Sequence, residues 1–256
     1  MAKVINIFAQ KGGVAKTSTI IETAAVLKIR GYKVLVIDLD QQCSLTKNVG
    51  GNISGQTIYE VMHAECTIND AVQHLELFDL ITGSASLSKI ADEITDDEDL
   101  YLLKDIIELV DNEYDYVFID NNPGRSNLVT MTYIASDYFI IPTECDEGSK
   151  DAVVTTQQDI NMLKTKTGKK DNARILGYIL SRYENTTMHQ LALEDLQKLA
   201  AKSKVKPKPF VAKVRKSIKV SEAKTLHSSV VTEYKGLPLA DDFVNIVDEI
   251  IKRTDK

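Results

Sequence analysis

Residues 10–18 read Gln-Lys-Gly-Gly-Val-Ala-Lys-Thr-Ser, and their types and order suit the binding of phosphate. Just before them an apolar run at 4–8 reads as a strand, and just after them residues 17–30 carry the periodicity of an amphipathic helix. A glycine-rich turn between a strand and a helix start is an anion site. Main-chain N–H groups point into the turn, and the helix dipole places partial positive charge there. Gly12 and Gly13 let the backbone wrap closely around oxygen atoms. Lys16 supplies a cation for the outer phosphates, and the Thr17 hydroxyl supplies a ligand for Mg2+. Val14, Ala15 and Ser18 complete the loop. The occupant these residues predict is a nucleoside triphosphate with Mg2+.

The common pattern G-x-x-x-x-G-K-[ST] has glycine at the positions held here by Gln10 and Ala15. With the additional Lys11, the segment instead resembles the deviant Walker A motif, K-G-G-x-G-K-[ST], of the ParA/MinD family of P-loop ATPases. Ala15 stands where that family usually has glycine. The resemblance implies an ATPase that forms a homodimer around ATP. In such a dimer Lys11 reaches the partner subunit's phosphates and stabilises transition-state charge, as an arginine finger does.

Residues 34–42, Val-Leu-Val-Ile-Asp-Leu-Asp-Gln-Gln, look like the family's D-x-D-P-Q element with Gln41 in the proline position. Side chains two apart on an extended segment project the same way. Asp38 and Asp40 are therefore expected to face the crevice at the carboxyl ends of the strands, where open α/β sheets bind ligands. The roles assigned are Asp40 positioning the attacking water and Asp38 supporting the Mg2+ water shell, and the two are exchangeable. A third acid, Asp120, ends the apolar run at 116–119 as in a Walker B strand and is expected to reach Mg2+. The family continues D-x-P-P where this chain has Asp120-Asn121-Asn122-Pro123-Gly124, and residues 121–126 are read as a second switch segment. Residues 135–144 resemble the family's A-x-D-x-x-x-x-P-x-x-x-E segment, with Glu147 near its final acid. Residues 177–183 resemble the strand that follows, and 220–223 match L-S-E-A. The resemblance suggests adenine contacts from Arg182 or Lys216.

These residues need a scaffold. Short apolar runs at 4–8, 34–37, 78–82, 116–119, 138–141 and 175–180 alternate with helical patterns, including 17–30, 100–110 and 242–251. The runs are nearly continuous in apolar character, as strands covered on both faces are. The fold class predicted is α/β, a mostly parallel twisted sheet with helices on both faces, as in P-loop NTPases. Neither an internal repeat nor a Pro/Gly/Ser-rich linker divides the chain, so residues 1–256 are read as one ATPase domain without an N-terminal helix-turn-helix domain. A hydrophobic fraction of 43% and a charged fraction of 27% are ordinary for a globular protein. The chain shows no secretory signal pattern and no apolar run near the roughly 18–20 residues that span a bilayer. Cys43, Cys66 and Cys145 lack metal-type spacing, and the address expected is the cytoplasm.

The net charge of −6 is unevenly spread. Residues 196–224 hold ten basic residues and one acid, Glu222. One sign of charge gathered in one stretch suggests a polyanion partner. The resemblance is to short, Soj-like partition ATPases, which bind DNA without sequence preference as the ATP dimer. It therefore implies non-specific DNA as a partner, nucleoid association, and a ParB-type centromere-binding protein that stimulates hydrolysis. Lys213, Arg215, Lys216 and Lys219 are the expected DNA contacts. A MinD-like membrane role needs a basic amphipathic last helix. Here Phe243, Ile246, Val247, Ile250 and Ile251 form an apolar face, opposite a polar face that is largely acidic, which favours core packing and no membrane. A third reading, a nucleotide-independent DNA module, is opposed by the intact Lys11, Lys16, Thr17, Asp40 and Asp120.

Overall fold

The computed structural model describes residues 1–124, 126–145, 148–166 and 174–255. Glu147, and Arg125 within the second switch segment, lie outside the described residues. Eight strands form one sheet: β1 (Lys3–Ile7), β2 (Val34–Leu39), β3 (Val72–His74), β4 (Asp79–Ile81), β5 (Tyr116–Asn121), β6 (Tyr138–Glu144), β7 (Arg174–Tyr183) and β8 (Phe210–Arg215). Their order across the sheet is β3-β4-β2-β5-β1-β6-β7-β8. Every neighbouring pair is parallel except β3 against β4.

The near-continuous apolar strands are covered on both faces, and the two-residue side-chain period sorts them. Ile5, Ile7, Val34, Val36, Tyr116 and Phe118 share one core with the helices Lys16–Ile29 and Pro238–Thr254. Val4, Leu35, Ile37, Val117 and Ile119 share the other with Leu102–Glu108 and Asn127–Ala135. Phe243, Ile246, Val247 and Ile250 of the last helix are buried, each contributing about 1.5–3 kcal/mol by leaving water. The face that a lipid surface would need is therefore already packed. Among the described residues, no helix is long and apolar enough to cross a membrane.

Several elements depart from the sequence expectation. β2, β5 and β6 run beyond their apolar cores into Asp38, Asp120–Asn121 and Thr143–Glu144, because the parallel ladders of β2 with β5 and of β6 with β7 continue through these residues. Asp38 thus lies inside a strand. Two strands were not foreseen. β3 has only three residues, and β8 is an edge strand within the lysine-rich stretch, where charge outweighs the apolar alternation of Phe210, Ala212 and Val214.

Candidate nucleotide site

A cleft of about 880 Å³ opens at the carboxyl ends of the central strands. Gly12, Gly13, Ala15, Lys16, Thr17 and Ser18 line it, together with Asp40, Arg182, Arg215 and Lys216. The loop turns through two left-handed residues, Gly13 at φ +80° and Ala15 at φ +69°. Ala15 is also the N-cap of the helix Lys16–Ile29, and no side chain caps that end. The first-turn N–H groups are left without an intrahelical partner, which is the anion site the sequence called for. The Ala15 carbonyl accepts from the Thr19 N–H (2.9 Å) and hydroxyl (2.8 Å), fixing the turn. Val14 is buried, and its carbonyl accepts from Ser181 Oγ at 3.3 Å, tying the loop to β7. Lys11 lies exposed on the loop.

Lys16 is only 7% exposed and donates to the Ala9 carbonyl at 3.4 Å. Burial pushes its pKa down while Asp120 and Asp40 pull it up. Thr17 Oγ1 donates to Asp120 Oδ2 at 2.7 Å, and Asp120 Oδ1 is buried with no hydrogen-bond partner among the described residues. Asp120 sits opposite Asp38 in the β2–β5 ladder. Burial, then the Asp38 charge, push the Asp120 carboxyl up to about 7. The unpartnered oxygen of buried Asp120 beside the Thr17 hydroxyl is an all-oxygen donor pair short of one cation. That chemistry fits a hard divalent ion such as Mg2+.

Asp38 and Asp40 do not play equal parts. Asp38 is fully buried and its oxygens are taken. Oδ2 accepts from the Thr46 N–H (2.9 Å) and hydroxyl (2.7 Å), and Oδ1 accepts from the Asp40 N–H (3.0 Å). Burial pushes its pKa up, against those hydrogen bonds. Asp40 lines the cleft and is half-buried, its Oδ1 accepting from the Gln42 N–H at 3.0 Å. Only Asp40 of the two is placed to meet a ligand directly.

The cations divide differently from the sequence grouping. Arg182, itself at φ +55°, donates to Glu144 Oε1 at 2.6 Å, and Lys216 to Glu184 Oε1 at 3.0 Å. Arg215 forks onto Asp242 through Nε and an Nη, both at 2.7 Å. Lys219 donates to Glu222 at 2.6 Å, and Lys213 stands 4.4 Å from the Tyr183 ring centre. Of Lys213, Arg215, Lys216 and Lys219, the two residues Arg215 and Lys216 also line the cleft. The sequence reading missed Lys47 and Asn48 of the helix Ser44–Asn48, and Lys224, all of which line the cleft. The helix was findable from its position after the Asp38–Asp40 pair. Lys224 was hidden in a run of lysines.

An AAA domain family model matches residues 2–175. The chain is 26% identical to the chromosome partitioning protein ParA of Caulobacter vibrioides, over 98% of this chain and 94% of that protein. It is 27% identical to the chromosome-partitioning ATPase Soj of Treponema pallidum, over 99% and 98%. Cyanothece McdA, solved as an ATP complex, matches the fold with a TM-score of 0.83 at 22% identity, over 97% of this chain and 96% of its own. The phosphate loop, the Thr17–Asp120 pair and the family match over most of the chain agree: the chain belongs to the AAA domain family and is a P-loop ATPase of the ParA/Soj type.

Proposed function

We propose that this ATPase is a switch for plasmid or chromosome partition, dimeric and DNA-bound with ATP and released by hydrolysis. The observation that carries the nucleotide half is the Thr17–Asp120 hydrogen bond beside the orphaned Asp120 Oδ1, at the foot of a loop bearing Lys11 and Lys16. The partition half is supported by relatives named for chromosome partitioning. On this reading Lys16 and the N–H groups from Gly12 to Ser18 hold the phosphates of ATP, and Arg182 and Lys216 border the base. Thr17 and Asp120 hold Mg2+, which supplies charge neutralisation at the phosphates when bound. Asp40 orients the attacking water, and Asp38 orients Asp40 through its backbone N–H.

Lys11 is the partner-facing residue of an ATP-dependent homodimer. The dimer binds DNA without sequence preference, through phosphate neutralisation by Lys213, Lys216, Lys219 and their neighbours. A ParB-type centromere-binding protein stimulates hydrolysis, and the working location is the cytoplasm, on the nucleoid. Light scattering with ATP and Mg2+ tests the dimer. Wild type should double its mass with ATP and not with ADP, while Lys11→Ala should bind nucleotide yet remain a monomer and Lys16→Ala should lose both. An unchanged dimer in Lys11→Ala contradicts the assignment.

A further inference from the structure

The cations that line the cleft are not equivalent. Lys16, Lys47, Arg182, Arg215 and Lys216 each donate to a protein oxygen. Lys224 is half-buried in the same cleft, and no hydrogen bond or ion pair to its ammonium is found among the described residues. It sits on the short helix Lys219–Thr225, whose cleft-lining residues Val220, Ser221 and Lys224 recur at helical spacing and so share a face.

What lies behind Lys224 is built. Glu22 projects from the phosphate-loop helix and is 2% exposed. Its oxygens accept the N–H groups of Val230 at 2.9 Å and Val231 at 3.3 Å, where Ser229 caps the helix Val230–Glu233. Glu22 thereby pins the segment after Lys224 to the helix that starts at the phosphate loop. Its charge also attracts the Lys224 ammonium, on which burial acts more strongly still, pushing its pKa down. The half-buried Lys224 ammonium has lost water and gained only the attraction of carboxylates to which it makes no hydrogen bond; an anion brought into the cleft supplies the missing acceptor.

We propose that Lys224 is a further nucleotide-binding residue of this ATPase, giving the phosphate chain a positive contact from the helix Lys219–Thr225. This rests on the reading that the cleft takes a nucleoside triphosphate. Lys224 lines the same cleft as the phosphate-loop residues Lys16 and Thr17 and as Arg182 and Lys216.

Fluorescence titration with mant-ATP and mant-ADP tests it, using wild type, Lys224→Met, Lys224→Arg, Lys16→Ala and Lys28→Met, with thermal melts to confirm folding. Lys28 is exposed at the far end of the phosphate-loop helix, so Lys28→Met removes the same charge away from the cleft. The result expected is an affinity loss of about 10-fold for both nucleotides in Lys224→Met, recovered in Lys224→Arg and absent in Lys28→Met. Wild-type affinity in Lys224→Met, with Lys16→Ala still defective, overturns the Lys224 contact alone. An equal loss in Lys28→Met overturns it too, by reducing it to net charge. If wild type binds no better than Lys16→Ala, the nucleotide reading itself fails.

Discussion

Glu22→Gln should stabilise the folded protein above neutral pH relative to below it. Glu22 is nearly sealed from water, and burial raises its carboxyl from the ordinary 4.5 to about 7 despite two backbone N–H donors and the Lys224 charge. A raised acid means that the folded state keeps a proton which the unfolded state has released. The associated stability is therefore fully present below about pH 4.5 and is lost as pH rises through about 7. The gap from 4.5 to about 7 is about 2.5 pH units, which at 1.36 kcal/mol per unit amounts to about 3 kcal/mol. Roughly 2.5 kcal/mol of this falls between about pH 5 and about pH 8. Glutamine mimics the protonated acid but can accept only at one atom, so it loses about 1 kcal/mol at every pH for one of the two N–H bonds. The stability of the variant minus that of wild type should then rise by about 2.5 kcal/mol across this range. At 2–4 °C per kcal/mol for a chain of this size, that is about 5–10 °C in Tm. Thermal and urea melts of both proteins without nucleotide, at matched ionic strength, read it directly. A difference that stays flat from about pH 5 to about pH 8 refutes the reasoning, because it would mean that Glu22 titrates in the fold as it does in the unfolded chain.

Two further outcomes follow from other residues. Ala15 holds φ +69° at the N-cap of the phosphate-loop helix, a conformation that costs an L-residue about 1–2 kcal/mol and glycine nothing. Ala15→Gly should therefore raise stability by about 0.5–1 kcal/mol once its unfolded-state entropy is counted, with nucleotide affinity kept, as chemical melts and titration will read. Replacing Lys213 and Lys219 together by alanine should weaken DNA binding and flatten its salt dependence, by up to about 0.9 in log–log slope for each DNA phosphate no longer neutralised, with Lys216 kept because it lines the nucleotide cleft. Arg215 is left in place there, because its removal would strand the buried Asp242 carboxylate and confuse folding with binding.

The parts of the site that could be read from the sequence are the local ones. Two glycines, two lysines and a threonine in nine residues after a strand specify their own geometry, and the structure brings Gly12, Gly13, Lys16 and Thr17 to one cleft. Asp120 was legible for the same reason, at the end of an apolar strand. What escaped depends on distant partners. The two-residue spacing of Asp38 and Asp40 gives both the same direction, but it cannot reveal that Thr46 consumes Asp38 from below while Asp40 stays at the mouth. Composition shows ten positive charges between residues 196 and 224, not that Arg215 is clasped by Asp242 27 residues later, nor that Lys224 turns into the cleft. β8 was lost in the same stretch. Its apolar alternation is short, and its lysine and arginine are those of an edge strand, which charge counting reads as solvent.

The central claim is that nucleotide state controls attachment to DNA, and it is tested by binding to random-sequence duplex DNA with ATP and Mg2+, with ADP and Mg2+, and with no nucleotide, each at low and at moderate salt. The account predicts binding with ATP alone, weakening steeply as salt is raised. Equal binding in all three states, or none in any, contradicts it.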